Sequence, residues 1–145
     1  MRHLICTFLF PNKSSGDELV TTLLRPSNID GAKYAGAILK IIVSKIRERW
    51  SSVRVIFRGD CAFARKHILH WCENNEVEYI VGISGNKAVQ DKVKDHEEEL
   101  MIKQKELGCE QKEYMSFKYQ AGSWKKERRI IAKIESSEHG LSRRF

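Results

Sequence analysis

The chain has 145 residues, a length that suits one domain with its own hydrophobic core. Its 41% hydrophobic and 31% charged residues are typical of a globular protein, and no apolar run approaches the roughly 18 residues of a membrane span. With 26 Lys and Arg against 19 Asp and Glu, the net charge is +7, which favours a polyanionic partner.

The four cysteines form no CxxC pair and no regular framework. The apolar segment 1–10 lacks a small-residue cleavage site and runs into turn residues, so we expect no signal peptide. Reduced thiols and a cytoplasmic location follow from these two observations.

The first third of the chain reads as a hairpin followed by a helix. Apolar and β-branched residues predict strands over 4–10 and 18–24, joined by a turn over 11–16. Asn28 or Asp30 is placed to cap the helix predicted over 32–50. Apolar residues at steps of three and four define one face of that helix: Ala35, Ile38, Leu39, Ile42, Val43, Ile46 and Trp50.

A strand over 53–57 ends at Gly59 and Asp60, and a helix over 64–72 and a strand over 77–83 follow. Strand, helix and strand in this order predict an α/β fold with parallel pairing. Carboxyl ends of such strands are where catalytic groups collect, so Asp60 is a candidate metal ligand or acid–base group. Position alone favours the simpler alternative, in which Asp60 caps the next helix.

The chain changes character at residue 87. We expect a charged helix over 91–107, whose run 95–99 is a solvated face, and then a second hairpin over 115–135. These features divide the sequence into an α/β core over 1–86, a helix and basic hairpin over 87–136, and a flexible tail over 137–145.

Two cysteines and two histidines lie close together in sequence, at Cys61, His67, His70 and Cys72. Their spacing matches no usual structural zinc site, and Cys72 belongs to the buried helix face. A Cys–His nucleophile pair also fails, because no third group orients the base.

The second hairpin is the best binding feature in the sequence. Its aromatics and cations could stack on bases and contact phosphates, or the aromatics could pack the hairpin while the cations are merely solvated. The candidate nucleic-acid-binding residues are Lys118, Trp124, Lys125, Lys126, Arg128 and Arg129.

Several blocks occur together and in order. They are LRPSN at 24–28, FRGD at 57–60, WCE at 71–73, and SWKKERR at 123–129. In this combination the chain, from residue 4 to residue 135, resembles an internal part of the bacterial insertion-sequence DDE transposases.

The resemblance implies a partial RNase H-like core, interrupted after residue 83 by an insertion. In that family two Asp and one Glu hold two Mg²⁺ or Mn²⁺ ions for attack on DNA phosphates during DNA transposition and recombination. Asp60 matches the second Asp, which makes it the expected catalytic and metal-binding residue, and it can cap a helix as well. DNA is the implied partner, in the bacterial cytoplasm and nucleoid.

The departures from the family pattern also carry a prediction. The first Asp and the Tyr-x2-Arg-x3-Glu-x6-Lys pattern have no match here, and Cys61-Ala62 replaces the usual Ser-Gly after FRGD. We therefore expect an internal fragment that is inactive alone, because one carboxylate cannot hold two closely spaced ions. The alternatives are a non-catalytic basic DNA-binding module, or a fragment that associates with itself or with an intact transposase through an open sheet edge.

Overall fold

A computed structural model describes residues 3–12, 16–26, 28–30 and 32–145. The chain forms two compact units, residues 1–53 and residues 54–145. The division at residue 87, where the charge pattern changes, stays a prediction.

The first unit opens with an antiparallel hairpin. Strand β1 (His3–Asn12) pairs with β2 (Gly16–Pro26), with a register shift between Phe8 and Leu9. The hairpin prediction is confirmed, although both strands are longer than the apolar pattern suggested. Part of the predicted turn, residues 13–15, lies outside the described residues.

Helix α1 (Ala35–Arg49) follows, as predicted, and buries Ala35, Leu39 and Val43. Its N-cap is Tyr34, in the left-handed region at φ 69° and without a side-chain cap. Asp30 therefore does not cap the helix; its Oδ1 accepts a hydrogen bond from the Ala32 N–H at 2.9 Å and shapes the turn before it.

The second unit begins with the predicted βαβ segment. Strand β3 (Val55–Gly59) pairs in parallel with β4 (Val77–Val81), and Phe57 lies opposite Tyr79. A three-residue 3₁₀ helix, Cys61–Phe63, and helix α2 (Lys66–Asn74) connect them. Helix α2 buries Ile68, Leu69 and Cys72, so its apolar face is close to the predicted one.

The charged helix expected over 91–107 is present, beginning three residues later than predicted, and a short additional helix precedes it. Asn86 caps α3 (Lys87–Asp91) by accepting from the Val89 N–H at 3.0 Å, and α4 (Lys94–Leu107) ends at Gly108, where φ is 62°. The predicted solvated face also needs one correction. Glu97 is buried at 6% exposure, because it accepts two hydrogen bonds from Arg143 at 2.8 and 2.9 Å.

The C-terminal part of the second unit is an antiparallel meander. Strands β5 (Gln111–Tyr119), β6 (Arg128–Ser137) and β7 (Gly140–Arg144) pair in that order. The second hairpin is therefore present, but residues 140–144 pair as a strand where a flexible tail was predicted. Alternation is weak in this short polar segment, and only its pairing with β6 defines it.

One face of the meander forms the main core of the second unit. Leu100 of α4 and Val93 just before that helix pack there against Ala132 and Ile134 of β6, all at 1% exposure or less. The molecule is a mixed α/β protein with a parallel strand pair and antiparallel sheets. This confirms the predicted fold class and is compatible with a partial RNase H-like fold.

Candidate functional site

Asp60 lies directly after β3, where the parallel strand pair ends. Its side chain is exposed, and one carboxylate oxygen accepts the Ala62 N–H at 2.9 Å as the N-cap of the 3₁₀ helix. The capping role expected from position alone is therefore present. A cap uses one oxygen of the carboxylate, so it is compatible with a second role for Asp60.

The end of β4 lies beside Asp60. The Gly82 N–H donates to the Gly59 carbonyl at 3.1 Å, and a Cβ at position 82 would lie 3.3 Å from the backbone N of Cys61. Glycine at 82 therefore lets the two strand ends approach each other closely. Asp60 and the two strand ends form the rim of this parallel pair.

The donor groups near this rim do not complete a metal site. In the part of the chain that the structure describes, no three His, Cys, Asp or Glu side chains group closely enough to hold a metal ion. Cys61, His67 and His70 are exposed, whereas Cys72 is fully buried, as its predicted place on the helix face requires. Asp60, with no such group around it among the described residues, does not fit a two-metal centre.

A second cluster joins α2 and β4 to the start of β6. Arg128 donates from Nε to Glu73 Oε1 at 2.8 Å and from Nη2 to Glu73 Oε2 at 3.2 Å. The Tyr79 hydroxyl donates to Glu73 Oε1 at 2.8 Å, and Lys126 Nζ lies 3.3 Å from Glu73 Oε2. We call Glu73, Tyr79, Lys126 and Arg128 the Glu73 cluster.

The Glu73–Arg128 pair within the Glu73 cluster is largely buried, which strengthens its charge interaction. The side chains of Arg128 and Glu73 are 8% and 13% exposed. Burial alone would raise the pKa of Glu73, but hydrogen bonds from Arg128 and Tyr79 and the charge of Arg128 outweigh it and lower that pKa. Burial and the hydrogen bond to Glu73 raise the pKa of Tyr79 to about 12.

Trp124 packs over the Glu73 cluster. The Arg128 guanidinium carbon lies 4.7 Å from the Trp124 ring centroid, and Tyr119 meets the indole edge-on at 5.7 Å. Buried Arg128 Nη1 has no hydrogen-bond partner among the described residues. The Tyr119 hydroxyl accepts from Asn86 Nδ2 at 2.8 Å, which joins the hairpin to the start of α3.

The six predicted nucleic-acid-binding residues occupy different environments. Lys118, Lys125, Lys126 and Arg129 are exposed, and Trp124 is half-buried. Arg128 is only 9% exposed and bonded to Glu73, so its cation faces the protein rather than solvent. We call residues 118–129, where the β5–β6 hairpin turns, the hairpin tip. Its lysines and Arg129 are exposed, whereas Trp124 and Arg128 pack inward.

Sequence reasoning missed Glu73 and Tyr79. Glu73 stood in the WCE block and Arg128 in the SWKKERR block, but nothing in the spacing indicated that the two blocks meet. A buried carboxylate requires a cationic partner, so a Glu next to a buried helix face could have indicated an ion pair with a distant Lys or Arg.

These features define a mixed α/β domain with an exposed carboxylate at its strand rim and a basic meander. The family model described as "Transposase DDE domain group 1" matches residues 5–145, nearly the whole chain. The chain therefore belongs to the transposase DDE domain family, as its sequence blocks indicated. No curated protein and no solved structure matches it significantly.

Family membership makes this a catalytic-type domain of DNA transposition. It implies DNA as a partner, and the family generally uses divalent metal ions. No helix among the described residues is long and apolar enough to cross a membrane.

Proposed function

We propose that this chain contributes to DNA transposition as part of a DDE transposase catalytic domain, with Asp60 as one carboxylate ligand of the family's divalent metal ions. The observation that carries the proposal is the position of Asp60. It is an exposed carboxylate directly after β3, beside the end of the parallel strand β4. Reactive groups of open α/β sheets collect at such strand ends.

In this proposal residues 1–86 belong to the catalytic core and residues 87–136 to an insertion that contacts DNA. Four exposed cations of the second hairpin, Lys118, Lys125, Lys126 and Arg129, contact phosphates. Trp124 and Arg128 support the tip that presents them, because Arg128 bonds to Glu73 and Trp124 packs over the Arg128 guanidinium.

We further propose that the chain alone does not cut or join DNA. The support is the donor set: the described residues place no group of three metal-binding side chains together, and Asp60 alone cannot hold two closely spaced ions. An intact transposase, with its further carboxylates, is then the partner that completes the site, and Mg²⁺ or Mn²⁺ binds this chain weakly.

A nicking and strand-transfer assay tests the proposed inactivity, and the metal dependence of DNA binding in the unaltered chain and in Asp60→Ala tests the role of Asp60. The chain alone, with Mg²⁺ or Mn²⁺ and a supercoiled plasmid, should leave the DNA uncut. Metal-dependent cleavage that disappears in Asp60→Ala would contradict the proposed inactivity while supporting the role of Asp60. Asp95→Ala, at an exposed helical position, is the matched control because it removes the same charge.

A non-catalytic DNA-binding module is the second candidate, favoured by the capping bond between Asp60 and the Ala62 N–H. In that case Asp60→Ala lowers stability but leaves DNA affinity and its metal dependence unchanged. Lys125→Gln and Lys126→Gln would lower DNA affinity under either hypothesis, so Asp60 is the discriminating position.

The alternative of an interaction fragment depends on the β3–β4 pair. Within the described residues this sheet has two strands, and Ile56 and Ile80 on one face of it are 44% and 63% exposed. Open strand edges and apolar faces favour association. Sedimentation over a range of concentrations, with Ile80→Lys as the variant, tests whether copies associate through this sheet.

A further inference from the structure

The β5–β6–β7 meander has one face packed against α4 and one face directed to solvent. We call the second the outer face, and its positions follow from the strand register and the alternating burial. Its residues are Lys112, Tyr114, Ser116, Lys118, Arg129, Ile131, Lys133, Glu135, Ser137, Gly140, Ser142 and Arg144. The face therefore carries five cations and a single carboxylate.

Like charges lie directly opposite each other at two places on the outer face. Lys118 pairs with Arg129 across β5 and β6, and Lys133 pairs with Arg144 across β6 and β7. Such pairs destabilise a sheet, because Cβ atoms of opposed residues lie only about 4.5–5.5 Å apart. Two of them on one face indicate that the surface is adapted to an anionic partner.

The single carboxylate offsets only part of this charge. Glu135 forms an ion pair with Lys133 on the same strand. At the other end of the face, Arg129 Nε donates to the Ser116 hydroxyl at 2.9 Å, a neutral partner. The Lys118 and Arg129 end therefore remains strongly positive.

Two large exposed side chains lie among the cations of the outer face. Tyr114 is 64% exposed and Ile131 is 52% exposed, and they lie on adjacent strands. An aromatic ring surrounded by cations on an open sheet is a surface on which sugars or bases can pack while phosphates meet the cations.

We propose that the outer face binds the backbone of DNA, in addition to the contacts proposed for the tip of the hairpin. The choice of DNA rather than another polyanion rests on the proposed function. Lys112 and Lys118 are six residues apart on β5, about 20 Å at 3.4 Å per residue, which matches about six base pairs at 3.4 Å each. β7 adds the fifth cation of this surface, Arg144.

The test measures binding of the full chain to a 30-base-pair duplex as a function of salt concentration. A triple variant, Lys112→Gln with Lys133→Gln and Arg144→Gln, removes three cations of the outer face and leaves the hairpin tip intact. The slope of log K against log salt should fall by about 3, since each lost phosphate contact lowers it by about 0.9. Far-UV circular dichroism and the unfolding midpoint verify that the variant folds.

The matched control removes the same charge elsewhere, by Lys87→Gln on α3, Lys92→Gln in the turn after it and Lys105→Gln on α4, all at exposed positions. Equal slopes for the two triple variants would overturn the inference. If binding then still depended on Lys125 and Lys126, the proposed function would stand. Failure of the unaltered chain to bind DNA would overturn both.

Two further measurements cover a triple variant that does not fold and a surface that binds any polyanion. Lys112→Gln alone, at an exposed position, should lower the slope by about 1, which preserves the test if the triple variant does not fold. Polyglutamate that competes as well as DNA would overturn the choice of DNA as the partner.

Discussion

Arg128 and Glu73 are 55 residues apart in the sequence, yet two hydrogen bonds of 2.8 and 3.2 Å join them in a side-by-side guanidinium–carboxylate pair. Through this pair the start of β6 is attached to the end of α2. The pair is charged, nearly buried, and shared with Tyr79 and Lys126. Its stability and its pH dependence can be measured directly.

Arg128→Ala should destabilise the protein by about 2–3 kcal/mol, because it leaves the Glu73 carboxylate buried without its main cation. Urea unfolding followed by tryptophan fluorescence measures the change. The matched control is Arg54→Ala, which breaks the exposed pair with Glu78 at 2.7 Å and should leave the free energy of unfolding almost unchanged. Equal effects of the two substitutions would contradict a structural role for Arg128.

Glu73 predicts a loss of stability in acid. Its pKa in the folded protein is lowered, so its contribution is present above the unfolded value of about 4.3 and is lost as the pH falls through the folded value. The difference in unfolding free energy between the unaltered chain and Glu73→Gln should therefore shrink below about pH 4. A difference that stays constant down to pH 2 would show that Arg128 does not favour the ionised carboxylate.

Tyr79 predicts a change at the alkaline limit. Its pKa is raised to about 12 in the folded state, so its contribution is complete below the unfolded value of about 10 and is lost between those values. Tyr79→Phe should cost about 1–2 kcal/mol at neutral pH through its lost hydrogen bonds. That deficit should diminish above pH 10, and absorbance at 295 nm should report late ionisation of one tyrosine in the unaltered chain.

Cys72 is fully buried, and burial raises its pKa to about 11, whereas Cys61 and Cys109 are exposed. Alkylation at pH 8 should therefore modify Cys61 and Cys109 quickly and Cys72 only after unfolding, because the thiolate is the reactive form. Peptide mass spectrometry across a urea series checks this order. Modification of Cys72 at the rate of Cys61 would contradict its place in the core.

Leu100 is 1% exposed between α4 and the inner face of the meander, so Leu100→Ala should cost about 3 kcal/mol through lost burial and the resulting cavity. Leu107, on the same helix, is 64% exposed, and Leu107→Ala should change stability by less than about 0.5 kcal/mol. Thermal unfolding of both variants is sufficient, and similar midpoints would mean that α4 packs by a different face.

Periodicity was enough to predict the hairpins, α1 and the βαβ segment, because each carries a regular apolar pattern in the sequence. It failed where a polar group was decisive. Glu97 looked like part of a solvated run, but it is buried because Arg143 bonds to it from a distant strand. Residues 140–144 were predicted as a flexible tail because their own sequence has no strand pattern. They form a strand only through their pairing with β6.

In the candidate site, too, some features were predictable from the sequence and others depended on distant contacts. The end of a predicted strand was enough to locate Asp60 at the rim, and charge was enough to locate the basic hairpin. The inward orientation of Arg128 was not predictable from the sequence, because it depends on the ion pair with Glu73. The spacing of the two residues in the sequence does not indicate that they are in contact. Long-range ion pairs of this kind need three-dimensional coordinates.

The Glu73 carboxylate also accepts Lys126, which lies 3.3 Å away and is 59% exposed at its side chain. A phosphate arriving at the hairpin tip would compete with Glu73 for this ammonium group, while Arg128 stays attached to the same carboxylate. Lys126 can thus exchange an internal anion for an external one without opening the buried pair. Binding of a ligand at the tip would then remove one positive charge from beside Glu73, at the end of α2.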